Sequence, residues 1–325
     1  MSLDTTIEKL LREGHGILAA DESLNTIHKR FASNEIEPTV ENRRAWRNLL
    51  VSTPGISQFI SGVILHEETL EQFTQEGIQI PRFLINSGIE AGIKVDHGTK
   101  IFSGHTPELV TEGLDGLRER LTHFKELGAS FAKWRAVYTI TSTTPSRATL
   151  VENARTLARY ALACQEVGLV PIVEPEVLMD GDHDQATCGK TSEQVLRSVF
   201  EALALYNVEL ETMLLKPNMI LPGKNFKKRP NPEETAQATL TVLRRSVPAA
   251  VPGICFLSGG QSETEASANL NAINQIQGNS PWKLSFSYAR ALQNSAMHTW
   301  GGKNEKQTEA QTIFNQRARL NSLAV

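Results

Sequence analysis

Residues 130–178 carry three stretches in close succession: SFAKWRAV (130–137), SRATLVENARTLARYALACQEVG (146–168) and VPIVEPEVL (170–178). The first and last are strand-length runs rich in apolar residues, as parallel strands covered on both faces should be. The middle stretch repeats apolar residues at three- and four-residue steps and ends at Gly168, the mark of a helix and its C-terminal turn. Strand, helix, strand in this order predicts a parallel crossover unit.

The same rhythm extends in both directions. GILAAD (16–21), SGVIL (61–65) and GIKVD (92–96) precede the unit, and TMLLKPN (212–218), GICFLSGG (253–260) and KLSFSYAR (283–290) follow it, making eight strand candidates. Between them, TSEQVLRSVFEALALYN predicts a helix from Thr191. Pro232 opens PEETAQATLTVLRRSVP, with acids first and arginines last, as a helix dipole prefers. A further helix is expected over about residues 3–13 and a helical segment over about 304–325. Eight strands alternating with helices and no linker predict an α/β fold, a single-domain (β/α)8 barrel over residues 1–325. The alternative, a doubly wound sheet, calls for a GxGxxG turn after the first strand, which is absent.

The chain has 325 residues, 40% of them hydrophobic, and a formal net charge of −3. That is enough for a large core, and it gives no reason to expect nucleic acid or a membrane surface as a partner. Three widely spaced cysteines (Cys164, Cys188, Cys255) do not make a disulfide framework. The N-terminal MSLDTTIEKLLREGHG reads as an amphipathic helix rather than a targeting sequence, and no apolar run approaches the roughly 20 residues of a membrane span. A soluble cytoplasmic protein is expected.

The chemistry lies where charge interrupts the apolar runs. Lys94, Lys133 and Lys216 each stand late in a strand candidate, and Asp21, Glu174 and Ser258 occupy the same position in others. In a barrel these positions converge at the C-terminal mouth. Lys216, between Leu215 and Pro217, is the best candidate for imine chemistry on a carbonyl substrate; the plain alternative is a lysine whose stem is buried and whose head is wet. Lys133 and Arg135 share one face of a strand, and Glu174 and Glu176 share one face of the next, so two cations are expected to meet two anions. Buried ion pairs add little stability over apolar packing, which favours a functional use: cations that keep the Lys216 amine reactive, and Glu174 or Glu176 moving protons. Asp21 is either an acid/base for a substrate hydroxyl or a cap for the turn DESLN.

Two anion sites are expected. The turn in FLSGGQS offers the backbone N–H groups of Ser258 and Gly259, and SYAR (287–290) brings Ser287 and the Arg290 guanidinium. On the other side, Ser23, Thr26, Lys29, Arg30 and Lys94 form the second, a solvated helix start being the competing reading for Lys29. GDHD (181–184) with Cys188 looks like metal ligands but lacks zinc spacing, so no metal is expected.

With these residues in place, GILAADES, GIKVD, FAKWR, PIVEPE, GDHD, LLKPNM, FLSGGQSE, FSYAR and WGGK resemble, in order and over nearly the whole chain, the class I fructose-1,6-bisphosphate aldolases. The resemblance implies metal-independent, reversible cleavage of fructose 1,6-bisphosphate to dihydroxyacetone phosphate and glyceraldehyde 3-phosphate, without a cofactor. It also implies a homotetramer. By position it implies Lys216 as the Schiff-base lysine, Asp21 for the C4 hydroxyl, Glu174 as proton shuttle, Lys133 as its cationic partner and Glu176 as a positioning carboxylate. Ser258, Gly259 and Arg290 correspond to the 1-phosphate site; Ser23 and Lys94, with Arg30 and Arg135 nearby, correspond to the 6-phosphate end. Three departures stand out. No tyrosine follows Tyr288, where many members carry a tail tyrosine that protonates the enamine, so slow proton exchange is expected; Ala289 replaces a usual glycine; and Leu24-Asn25-Thr26 replaces Thr-Gly-Ser. A related lyase preferring sedoheptulose 1,7-bisphosphate, and an inactive barrel used as a scaffold, are the alternatives.

Overall fold

The computed structural model describes residues 2–325. Its strands in chain order are β1 (Gly16–Ala20), β2 (Ile60–Leu65), β3 (Glu90–Lys94), β4 (Thr99–Ile101), β5 (Leu109–Thr111), β6 (Phe131–Tyr138), β7 (Val170–Val177), β8 (Leu214–Leu215), β9 (Gly253–Phe256) and β10 (Lys283–Tyr288). Eight of them close a parallel barrel in the order β1-β10-β9-β8-β7-β6-β3-β2, and β4 and β5 form a separate antiparallel hairpin. All eight predicted runs are barrel strands. The hairpin was not foreseen.

The central crossover follows its sequence signals. The helix Arg147–Val167 is capped by Ser146, whose hydroxyl accepts the Thr149 N–H at 3.3 Å, and it stops at Gly168, at φ 76°. Pro232 does open a helix (Pro232–Ser246), with a capping box between Asn231 and Glu234. The helix expected from Thr191 instead begins at Gln185. Asp184 is its cap, accepting the Thr187 N–H at 2.8 Å, so the end of GDHD is a helix start. Among the described residues no cluster of His, Cys, Asp and Glu could hold a metal ion. The terminal helices span Leu3–Leu10 and Gln307–Ser322, shorter than expected because Leu11 caps the first and a short 3-10 turn, Asn304–Lys306, precedes the second.

The first helix plugs the N-terminal end of the barrel. Ile7, Leu10 and Leu11 join a buried cluster with Ile17, Ile64, Phe131, Val170, Ile172 and Leu214 from the strands. The fit is close: a Cβ on Gly62 would lie 2.6 Å from Leu10, and one on Gly253 would lie 2.4 Å from Leu11. With that end closed by apolar side chains, the opposite, C-terminal mouth is left for polar groups. No helix among the described residues is long and apolar enough to cross a membrane.

Candidate active site

The charged residues singled out from the sequence lie in or just past barrel strands, Lys133 being third in β6 and level with the end of β3, except Lys29 and Arg30, which lie on the helix Leu24–Ala32. Asp21 follows β1, Lys94 ends β3, Lys133 and Arg135 lie in β6, Glu174 and Glu176 in β7, and Lys216 follows β8. Ser258 and Gly259 follow β9, Ser287 lies in β10 and Arg290 starts the next helix. All of them line one cleft of about 670 Å³, together with Ser23, Thr26, Lys29 and Arg30.

Lys216 lies just past a two-residue strand, so neighbours on both sides hold it. Its own N–H donates to Val173 O at 2.8 Å, and Leu257 N–H donates to Pro217 O at 3.0 Å. The Asn218 carboxamide ties the ends of β7 and β8 together by accepting the Val177 N–H at 2.9 Å. Lys216 Nζ then stands 3.2 Å from Glu174 Oε1, with its side chain only 4% exposed.

Glu174 joins two lysines. Its Oε2 is 3.1 Å from Lys133 Nζ, which also contacts Asp21 Oδ2 at 2.8 Å. Asp21, Lys133, Glu174 and Lys216 therefore form one continuous buried chain of alternating charge. Beside it, Arg135 Nε donates to Glu176 Oε2 at 2.5 Å. The two cations and two anions expected on neighbouring strands do face each other. Glu176, the expected positioning carboxylate, is itself held by Arg135.

Burial alone would push the Asp21 carboxyl up; the Lys133 and then the Lys216 ammonium outweigh it and hold the group well below the usual carboxylate range. Burial would likewise favour neutral Lys133, but Asp21 and Glu174 reverse this and keep it an ammonium. Asp21 does not cap the following helix. Ser23 does, accepting the Thr26 N–H at 3.4 Å, which leaves the aspartate free for Lys133.

The two predicted anion sites differ in readiness. Ser258, Gly259 and Arg290 border the cleft, and among the described residues Arg290 has no carboxylate within ion-pair distance. The buried Ser287 hydroxyl has no partner there either. At the other site two of the three predicted cations, Arg30 and Lys94, are engaged. Arg30 pairs with Glu22 and also donates to Gln293 Oε1 at 3.0 Å and Asn294 Oδ1 at 3.2 Å. Lys94 Nζ lies 2.7 Å from Asp96 Oδ1 and 2.5 Å from the Asp96 carbonyl.

Three contributors escaped the sequence reading. Glu22 also receives Arg47 at 2.5 Å; Asp96 organises Lys94; and His97, Gly98, Thr99 and Lys100 form part of the cleft wall. Glu22 and Asp96 carried the signal that found Asp21, an acid at a strand end, but their partners are brought in by the fold. The hairpin gave no signal, since it adds no apolar run.

The profile described as "Fructose-bisphosphate aldolase class-I" matches residues 2–325. The chain belongs to the class-I fructose-bisphosphate aldolase family. The enzyme is thus a carbon–carbon lyase by family. It is 52% identical over 324 residues to fructose-bisphosphate aldolase B of Gallus gallus, covering 99% of this chain and 89% of that protein. It is 53% identical over 311 residues to fructose-bisphosphate aldolase 4, cytosolic, of Arabidopsis thaliana, covering 96% and 79%. A bacterial relative, the probable fructose-bisphosphate aldolase class 1 of Xanthomonas campestris, is 49% identical over 99% of this chain and 96% of its own length. Among solved structures, the Plasmodium falciparum fructose-bisphosphate aldolase, crystallised with TRAP and a small-molecule inhibitor, superposes with a TM-score of 0.96 at 48% identity, covering 99% of this chain and 93% of that one.

Proposed function

We propose that this enzyme cleaves fructose 1,6-bisphosphate through an imine on Lys216. The observation that carries the assignment is the buried chain Asp21–Lys133–Glu174–Lys216 at the mouth of the barrel. Lys216 must lose a proton before it attacks a ketone, and Glu174, 3.2 Å away, is placed to take it. The amine adds to the C2 carbonyl, and Glu174 returns the proton to the departing hydroxyl, releasing water and leaving an iminium. Asp21 removes the C4 hydroxyl proton. The C3–C4 bond breaks, its electron pair flows into the iminium, and glyceraldehyde 3-phosphate leaves. The remaining enamine is protonated at C3 and hydrolysed to dihydroxyacetone phosphate and free Lys216.

The Lys133 contact makes Asp21 a weak base at rest. Its role therefore requires the substrate hydroxyl to take over part of the Lys133 hydrogen bonding. Ser258, Gly259, Ser287 and Arg290 bind the 1-phosphate, while Ser23, Arg30 and Lys94 surround the 6-phosphate end, and Arg135 holds Glu176 against the site. The iminium is the electron sink, so the chemistry calls for no metal or cofactor. The cytosolic Arabidopsis relative supports a cytoplasmic setting, and the family resemblance supports a homotetramer.

The test is borohydride trapping with dihydroxyacetone phosphate in EDTA, followed by peptide mass mapping. A reduced adduct on Lys216 is expected. Turnover without any adduct would overturn the imine route, and an adduct on another lysine would move the centre of the site.

A further inference from the structure

The cleft carries more positive charge than its carboxylates neutralise. Five of its cations are ion-paired: Arg30 with Glu22, Lys94 with Asp96, Lys133 with Asp21 and Glu174, Arg135 with Glu176, and Lys216 with Glu174. Among the described residues, the other cleft-lining cations, Lys29, Lys100 and Arg290, have no carboxylate within 4.0 Å. Arg290 stands with the Ser258–Gly259 turn at the β9–β10 side. Lys100 stands on the β4–β5 hairpin, directly after β3. In the closed order of the barrel, β3 and β9 are opposite one another.

The hairpin that holds Lys100 is tied to the catalytic strands. Asp96 Oδ1 accepts the Gly98 N–H at 3.0 Å, Asp96 Oδ2 accepts the Arg135 N–H at 3.2 Å, and the Thr111 hydroxyl donates to Arg135 O at 2.8 Å. One carboxylate thus both occupies Lys94 and fixes the base of the ribbon bearing Lys100. A phosphate arriving at this end meets a Lys94 whose charge Asp96 already compensates and an Arg30 whose guanidinium is shared among Glu22, Gln293 and Asn294. Two cations remain uncompensated at this end, Lys29 on the helix Leu24–Ala32 and Lys100 on the ribbon directly after β3, and of these Lys100 belongs to the β3 wall.

We infer that Lys100 is a specificity-determining residue, supplying the positive charge that recognises the phosphate at the β3 end of the cleft, opposite the Arg290 site. The inference rests on the proposed ketose bisphosphate substrate and goes beyond it by selecting among the cations around the distal phosphate. A contact far from the reacting carbons contributes to binding in ground and transition states alike, so its loss raises KM more than it lowers kcat.

The experiment compares kcat/KM for fructose 1,6-bisphosphate and for fructose 1-phosphate, which lacks the distal phosphate, in the full-length enzyme, Lys100→Gln and Lys100→Arg. Loss of one charge-assisted contact is expected to lower the ratio of the two values about tenfold in Lys100→Gln. Lys100→Arg should keep the ratio within about threefold of the parent, because an arginine preserves the charge. A ratio unchanged in Lys100→Gln, or one that falls equally in Lys100→Arg, overturns the inference. If the parent enzyme cleaves neither sugar, the proposed function itself fails and the inference falls with it.

Discussion

Gly259 has no room for a side chain. A Cβ there would stand 2.8 Å from Glu176 Oε1 and 3.1 Å from Leu257 Cδ1. Glu176 cannot retreat freely, because Arg135 Nε holds its other oxygen at 2.5 Å, and Leu257 is buried. In Gly259→Ala, either the ion pair opens or the turn carrying Ser258 is pushed toward the cleft. Both outcomes disturb the site without touching the Asp21–Glu174–Lys216 chain. Displacement of a positioning group by about 1 Å can cost on the order of a hundredfold in rate, and modest overpacking about 1 kcal/mol in stability. The expected result is a kcat/KM ten- to a hundredfold lower, with a melting temperature only slightly reduced; steady-state kinetics beside a thermal melt checks it. Unchanged kinetics would mean that the turn yields harmlessly. At this scale Lys216, Glu174, Lys133 and Asp21 were legible in the sequence because each puts a charge where an apolar run should continue. That Lys94 and Arg30 are already engaged was not legible, since Asp96 reaches Lys94 across a backbone turn and Gln293 comes from the far end of the chain.

Asp184 shows how an element boundary can imitate a site. Read as part of GDHD it suggested metal ligands; in the fold it accepts the Thr187 N–H and starts the helix Gln185–Leu205. The first turns were hidden because their buried face is built from Cys188, Thr191 and Ser192, small or polar residues that leave the apolar stripe to begin at Val195. The β4–β5 hairpin was invisible for a related reason: its strands are three residues long, and Lys100 and Ile101 are exposed. Barrel strands, by contrast, are buried on both faces and declare themselves through continuous apolar runs. If Asp184 is a cap and nothing more, Asp184→Ala should lower stability modestly. Aldol cleavage should be as fast as in the parent enzyme, with or without EDTA. Urea denaturation and a turnover assay on the same preparation decide this. A stability loss accompanied by EDTA-like inactivation would return GDHD to the list of chemical sites.

The whole molecule separates its two ends by chemistry: apolar side chains fill the N-terminal end, where Glu90 is a buried charge paired with Lys9, and most of the other buried charges gather at the mouth. The mouth therefore sets how the fold responds to pH. Asp21 and Glu22 have folded pKa values below their ordinary ones: burial pushes each up, but Lys133 and Lys216 for Asp21, and Arg47 and Arg30 for Glu22, more than reverse it. Their contribution is complete above about pH 4 and is lost as pH falls through the still lower folded values. Lys133 is shifted upward, so its contribution is complete below about pH 10 and is lost only as pH rises through its folded value. His66, at the end of β2, has the opposite effect within the neutral range. Its Nδ1 accepts the Glu68 N–H at 3.2 Å, and burial, then Arg47 and Lys94, hold its pKa below the ordinary histidine value. The unfolded chain therefore takes up that proton first, and native stability begins to fall as pH drops through about 6.5. His183, lowered mainly by burial, acts in the same sense. The melting temperature should be level from about pH 7 to 10, decline gently below about 6.5 and fall steeply below about 4. Calorimetric melts of the parent and of His66→Gln between pH 4 and 9 separate the contributions. The gentle decline should shrink in the variant, with His183 accounting for what persists, while the steep acid limb remains. If the two enzymes trace the same curve between pH 7 and 5, neither burial nor the cations around His66 shift it enough to matter, and the response belongs to His183 and the carboxylates.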